Sequence, residues 1–325
     1  MFWRRKAKVP AAPPQIGCFG KLPATGDFVR LNAGGDEVGA FDRWLGGSID
    51  HARRTMGTHF EAVYPHSVGL FIFRGEGKGE EPPTRGLVGA WCASGDNAGR
   101  LYPMTVFGSY DYNQLVATGA ALPIALWPLL TAAYDLATNG RMMPVDLFLD
   151  RVSHVALPSL EDPETSQAGY RGWLTTQPMK ALWETSFNTD ATRFWVLQNI
   201  VASVEPFRGQ ELPKTGLCLR LPIGAGDAYA AALWMDMTLR LAKWRNTLLN
   251  AFWSPQKAVL IHMGPPHLAT YRELIDPTAN ADHVADLCGA PWSDEQTARR
   301  ALGPHLDALV ARTDLSLASF LDGLV

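Results

Sequence analysis

Residues 36–56 carry apolar side chains at steps of three and four residues. This spacing places the apolar positions on one face of a helix, so we predict an amphipathic helix that packs on a sheet. Asp36 precedes the first apolar position, and we expect it to cap the N-terminus of this helix. Trp44 lies on the apolar face and is interpreted as an anchor of the core, because a large aromatic side chain contributes most when it is buried.

Three nearly continuous apolar runs follow, at residues 67–74, 86–93 and 101–110. Runs of this kind are typical of strands that are buried on both faces. The first two are separated by residues 75–84, whose glycines, glutamates and prolines predict an exposed hairpin loop. With the amphipathic helix and a second helix at 122–138 as cover, the pattern predicts an α/β fold, a helix/sheet/helix sandwich around a mostly antiparallel sheet.

The second half of the chain has mainly helical periodicity, interrupted by prolines. We predict helices at residues 146–157, 171–183, 190–204, 228 to about 252, 294–311 and 315–324, and short strands at 215–221 and 257–263. The two strands could extend the first sheet or form a second one. The division that follows is a flexible basic tail (1–15), an N-terminal α/β domain (16–140) and a mainly helical C-terminal domain (141–325).

Composition narrows the class of protein. The 325 residues are 47% apolar and 19% charged, which favours a well-buried globular protein over a disordered one. The formal net charge of −3 argues against a nucleic-acid binder. Cysteines 18, 92, 218 and 288 are too far apart for a CxxC metal pair, and we expect reduced thiols. Since we see no secretory signal and no apolar run of roughly 18 residues, we expect a soluble cytoplasmic protein.

Two charged turns flank the predicted meander. A short strand at 16–19 enters the first turn, residues 20–28, and the second turn covers residues 94–104. The first turn is not a phosphate-binding P-loop, because its Gly-Lys pair is followed by Leu22 and Pro23, and proline removes a backbone donor. Neither turn matches a catalytic motif.

The charged side chains of these turns are candidates for a polar cluster. Lys21 and Arg100 are the cations, and an arginine in a partly desolvated site rarely stays without a carboxylate partner. We predict that Arg100 bonds Asp27 or, failing that, Asp42 or Asp96. Such a cluster would fix the first turn against the edge of the sheet and perform no chemistry itself.

Four ordered sequence motifs contain these turns. They are residues 17–23 (GCFGKLP), 26–30 (GDFVR), 41–45 (FDRWL) and 96–105 (DNAGRLYPMT). In this order and at this spacing they resemble the TagF (ImpM) family of bacterial type VI secretion accessory proteins. The resemblance implies a cytoplasmic regulatory protein, not an enzyme, that represses secretion after translation in partnership with a forkhead-associated scaffold protein. We predict no cofactor and no metal.

The motif residues form our candidate set for partner binding or structural support. They are Gly20, Lys21, Leu22, Pro23, Gly26, Asp27, Phe28, Trp44, Asp96, Gly99, Arg100, Tyr102 and Pro103.

Residues 224–227 (GAGD) support an alternative function. They precede a predicted helix and resemble the anion-hole motif of ribokinase-type sugar kinases, in which Asp227 would be the base. Residues 221–223 (LPI) lack the polar lead-in of that family, and a strand-to-helix turn capped by Asp227 explains the same residues. His262 and His267 flank a Gly-Pro-Pro loop and do not match the spacing of a zinc-binding helix. A small-molecule kinase is therefore the alternative to a regulatory binding protein.

Overall fold

A continuous sheet of nine strands is formed by the described part of the chain. The computed structural model describes residues 13–75, 83–187, 192–212, 214, 217–224, 228–254, 258–276 and 283–325. The strands are β1 Gln15–Lys21, β2 Phe28–Leu31, β3 Val68–Phe73, β4 Arg85–Cys92, β5 Met104–Asp111, β6 Cys218–Pro222, β7 Asn250–Ser254, β8 Ala258–His262 and β9 Val284–Asp286. Their order is β2-β1-β5-β4-β3-β7-β8-β6-β9, and the β6–β9 pair is parallel whereas the other pairs are antiparallel.

Helices cover this sheet and dominate the second half of the described residues. They are α1 Asp36–Met56, α2 Thr58–Val63, α3 Tyr112–Thr118, α4 Leu122–Ala125, α5 Trp127–Thr138, α6 Val145–Ser153, α7 Pro163–Thr176, α8 Met179–Ser186, α9 Thr192–Val204, α10 Ala228–Ala242, α11 Thr270–Ile275, α12 Glu295–Ala311 and α13 Leu317–Asp322. The predicted α/β class, with a mostly antiparallel sheet and a largely helical C-terminal region, is confirmed.

Both faces of the predicted meander are buried, as its apolar pattern requires. Along β4, Leu87 and Trp91 pack in a core beneath α1, whereas Val88 and Ala90 contribute to the core on the opposite face, where α5 and α10 lie. The side chains of successive strand residues point to opposite faces, so a strand between two helical layers has to be apolar throughout.

The amphipathic helix is present over the predicted residues, but its N-cap is one residue earlier than predicted. Gly35 is the N-cap and Asp36 is the first residue of α1. A carboxylate in the first turn still interacts favourably with the positive end of the helix dipole. Trp44 is 5% exposed and stacks on Phe252 at 4.7 Å between ring centroids, which confirms its interpretation as a core anchor.

The second predicted cover helix, at 122–138, is broken at Leu126 into α4 and α5. Pro128 lies in the first turn of α5, where the backbone N–H has no partner within the helix and its absence costs nothing. In the interior of one continuous helix the same proline would remove a hydrogen bond, so the segment forms two helices. Gln177 and Pro178 likewise separate α7 from α8 within the predicted helix at 171–183.

The prediction of one helix from 228 to about 252 is wrong at its C-terminal end. The helix α10 ends at Ala242, and Lys243 adopts the left-handed conformation with φ of 55°, which terminates helical geometry. Residues 250–254 then form β7, with Phe252 opposite Phe71 of β3. Pairing on both sides of β7 decides its conformation, because an apolar segment of this length suits a buried helix or a buried strand.

The two short strands predicted in the second half are present as β6 and β8, and β7 joins them to β3. The sheet therefore continues across the predicted boundary at residue 140. The strands β2, β7 and β9 were not predicted. Asp294 caps α12, which bends at Gly303, and α13 occupies the last predicted helical segment. The predicted Asp227 cap, residues 76–82 of the predicted loop and residues 1–12 of the predicted tail lie outside the described residues.

Candidate functional site

The two charged turns meet at one end of the β1–β5 pair. Phe19 of β1 lies opposite Thr105 of β5, so the end of β1 and the start of β5 are adjacent although they are far apart in sequence. The backbone N–H of Asn97 donates to the carbonyl of Thr25 at 3.1 Å and joins the turns directly. The antiparallel register thus brings together residues that the sequence could place only in separate turns.

Asp96 is the centre of this cluster, and it is 6% exposed. Its Oδ2 accepts hydrogen bonds from Lys21 Nζ and, at 2.7 Å, from Arg100 Nε. Its Oδ1 accepts from the backbone N–H groups of Ala98 at 3.0 Å and Arg100 at 2.9 Å. The bond from Lys21, supported by those from Arg100 and Ala98, holds the pKa of Asp96 well below its usual range. A carboxylate stabilised in its ionised form in this way is poorly suited to act as a general base near neutral pH.

The prediction that Arg100 bonds Asp27 first is wrong, and Asp96, one of the two alternatives, is its partner. Arg100 also donates from Nη2 to the carbonyl of Gly26. Asp27 is exposed, and its backbone N–H donates to Thr25 Oγ1 at 3.2 Å. The turn therefore presents the Gly26 carbonyl, rather than the Asp27 carboxylate, to the guanidinium.

Glycine is required where β1 passes the start of β5. Gly20 has φ of 148°, and a Cβ atom there would lie 2.1 Å from the carbonyl oxygen of Pro103. Gly99, with φ of 79°, occupies the left-handed region in an open part of the second turn. Of the other apolar candidates in the first turn, Leu22 is fully buried and Pro23 is exposed.

An aromatic group lies beside the charged cluster. The ring of Phe28 stacks on Phe19 with centroids 5.3 Å apart and meets Tyr102 edge-on at 5.1 Å. Tyr102 donates from its hydroxyl to Asp42 Oδ1 at 2.5 Å, and burial raises its pKa. Lys21 Nζ lies 4.7 Å from the centroid of the Phe28 ring, which links the aromatic group to the Asp96 cluster.

Three residues outside the candidate set contact this aromatic group: the buried Phe19, Arg30 over the rings of Phe19 and Phe28, and Asp42 at the hydroxyl of Tyr102. Phe28 and Arg30 lie on the same side of β2 because they are two residues apart. That periodicity was available in the sequence, but four residues beside a glycine-rich turn gave too weak a strand signal. Trp44 belongs to the core beneath α1, where its Nε1 donates to the carbonyl of His267 at 3.3 Å.

The sequence contains two other candidates for chemistry, a histidine pair and a kinase-like motif. The ring of His267 lies 4.2 Å from that of His283, and within the described ranges no group of three or more His, Cys, Asp or Glu side chains is placed to hold a metal ion. Gly224 is an exposed residue, whereas residues 225–227 of the kinase-like motif lie outside the described residues.

The site belongs to a domain that is associated with type VI secretion. Residues 17–155 match the family model of the TagF N-terminal domain, described as type VI secretion system-associated. The chain thus carries a TagF N-terminal domain, and the resemblance of its four motifs to that family is confirmed over these residues. No curated protein matches the chain.

Among solved structures, the chain is similar to the crystal structure of PA0076 from Pseudomonas aeruginosa PAO1. The two share 14% identity, and the alignment covers 82% of this chain and 96% of that one with a TM-score of 0.46.

No single helix among the described residues is long and apolar enough to cross a membrane. The bent pair Tyr112–Ala125 and Trp127–Met142, which meet at 62°, reaches the necessary length and composition only when taken together.

Proposed function

We propose that this type VI secretion-associated protein is a non-catalytic cytoplasmic regulator that represses secretion after translation. In this proposal it acts by binding a forkhead-associated scaffold protein of the same secretion system. The observation that carries the proposal is the TagF N-terminal domain over residues 17–155. The scaffold partner and the direction of the regulation follow from the resemblance of the motifs to the TagF family.

The chemistry of the charged turns supports a binding role over a catalytic one. Lys21 is 5% exposed, and its ammonium group bonds the buried carboxylate of Asp96. Each oxygen of Asp96 accepts two hydrogen bonds. Groups that satisfy one another in this way hold two turns in a fixed shape, and they retain little capacity to exchange protons with a substrate. The surface that the turns present is then what a partner would recognise.

The proposal is tested by binding and by secretion. The purified chain should bind the purified forkhead-associated scaffold protein in calorimetry, and overproduction in the native host should reduce release of a type VI substrate while the amounts of the secretion components stay constant. Constant amounts separate regulation after translation from an effect on expression. Unchanged secretion on overproduction, or absence of binding to the scaffold, would contradict the proposal.

A deletion strain provides the reciprocal measurement. Loss of a repressor should raise secretion, and the wild-type chain should restore the original level when it is supplied on a plasmid. A variant that is folded but fails to bind the scaffold should not restore it. Lower secretion in the deletion strain would instead indicate a positive role.

A further inference from the structure

The strand β2 is an edge strand of the sheet and lies next to the charged turns. Within the described residues it pairs with β1 alone, with Phe28 opposite Lys21 and Arg30 opposite Phe19. In an antiparallel edge strand, the backbone groups of alternate residues point away from the paired neighbour. A row of unpaired donors and acceptors can accept a strand from another chain.

The side chains beside this edge are held in place before any partner binds. Phe28 is 38% exposed, yet one face of its ring is stacked on Phe19 and its edge contacts Tyr102. Tyr102 is itself fixed by its hydrogen bond to Asp42. An exposed aromatic ring that is already immobilised loses little conformational entropy when a partner covers it.

A cation is placed over the same rings. The guanidinium carbon of Arg30 lies 5.3 Å from the centroid of Phe19 and 5.7 Å from that of Phe28. Within the described residues Arg30 contacts these two rings and makes no ion pair. Its planar group therefore has donors available for a carboxylate, which it can bind in a bidentate manner.

The charge balance of this surface favours an acidic partner. The side chain of Arg100 is 64% exposed on the neighbouring turn. The carboxylates of Asp42 and Asp96 are already occupied by Tyr102 and by the Lys21–Arg100 pair, which leaves Asp27 as an exposed acid next to these cations. Arg30 without an ion pair, the 64% exposed side chain of Arg100 and an exposed phenylalanine resemble the composition of interface hot spots.

From this edge and these side chains, we propose that an extended acidic segment of the partner protein adds to β2. Its backbone pairs with residues 28–31, an apolar side chain covers Phe28, and its carboxylates bind Arg30. The inference rests on the proposed function, because the partner is the forkhead-associated scaffold protein. It adds the place and the chemistry of the contact.

The test measures binding of the purified scaffold protein to four full-length variants by calorimetry. We expect Phe28→Ala and Arg30→Glu to weaken binding by about tenfold or more each, and Arg30→Lys to weaken it less because the charge is kept and the bidentate geometry is lost. Trp292→Ala is the matched control, since Trp292 is an aromatic residue 63% exposed and distant in sequence from the turns. Far-UV circular dichroism and the melting temperature establish that each variant is folded.

Hydrogen exchange separates strand addition from side-chain docking. When the scaffold is bound, the amides of β2 that do not bond β1 should become protected, whereas a contact through side chains alone would leave them exchanging. Weaker binding without that protection overturns the strand pairing. Equal affinities in all variants place the contact elsewhere and leave the proposed function standing.

Two further outcomes are decisive. If the wild-type chain does not bind the scaffold, the proposed function and this inference both fail. If light scattering shows a dimer without scaffold, and the same amides are protected in it, the occupant of β2 is a second copy of the chain and the acidic partner is wrong.

Discussion

Substitution of Gly20 tests how closely β1 and the start of β5 approach each other. An alanine Cβ at this position would lie 2.1 Å from the carbonyl oxygen of Pro103 and 2.7 Å from Cα of Met104. Both are backbone atoms, and they can move away only if the β1–β5 pairing shifts. Alanine would also have to adopt φ of 148°, where non-glycine residues are strained.

The expected cost has two parts. A residue held in a rarely populated backbone region costs about 1–3 kcal/mol, and forced overpacking costs about 1–3 kcal/mol. We therefore expect Gly20→Ala to lower the free energy of unfolding by about 4 kcal/mol, which is a large share of the ~5–15 kcal/mol of a typical domain.

Two other glycines separate these contributions. Gly99 has φ of 79°, and a Cβ atom added there would have no neighbour within 4 Å, so Gly99→Ala should cost about 1 kcal/mol from backbone strain alone. Gly34 also has open space, and its φ is not positive, so Gly34→Ala should be neutral or stabilise by up to about 1 kcal/mol.

Urea unfolding followed by tryptophan fluorescence and by circular dichroism measures all three variants. Equal slopes of free energy against urea show that the variants unfold between comparable states. If Gly20→Ala is no less stable than Gly99→Ala, the close approach at Pro103 does not constrain the turn and the reasoning is refuted.

Three further predictions concern the cluster and the rival chemistry. The pKa of Asp96 is depressed in the folded state, so Asp96 contributes stability above its ordinary pKa of 3.8, and this stability is lost as the pH falls below that value. When urea midpoints are measured down to about pH 2, the midpoint of Lys21→Met should therefore fall less steeply with decreasing pH than that of the wild type. Equal slopes of the two curves would contradict this. Tyr102→Phe removes the donor to Asp42 and should cost about 2 kcal/mol in urea unfolding, whereas a cost near zero would mean that water replaces the bond. Mg-ATP should leave the melting temperature of the protein unchanged. Asp227→Asn should be as stable as the wild type, because Asn caps a helix about as well as Asp does. If ATP stabilises the wild type and Asp227→Asn abolishes that effect, the kinase is supported instead.

The sequence alone determined those elements whose signal is local. The three- and four-residue apolar spacing of α1 and the unbroken apolar runs of β3 and β4 reflect the layer that each element packs against, so their type was predicted correctly. The four motifs in order likewise predicted the TagF domain that matches residues 17–155. These features can be predicted because each is encoded within one short segment or in the order of segments.

Only the tertiary structure decided the features that depend on distant partners. Residues 250–254 became a strand because β3 and β8 pair with them on both sides, and β2 became a strand because β1 pairs with it. The sequence placed Arg100 near several carboxylates, but the choice of Asp96 over Asp27 depended on which group the folded turn presents to the guanidinium. Strand pairing and side-chain partners are settled by contacts between segments far apart in sequence, and no local pattern encodes them.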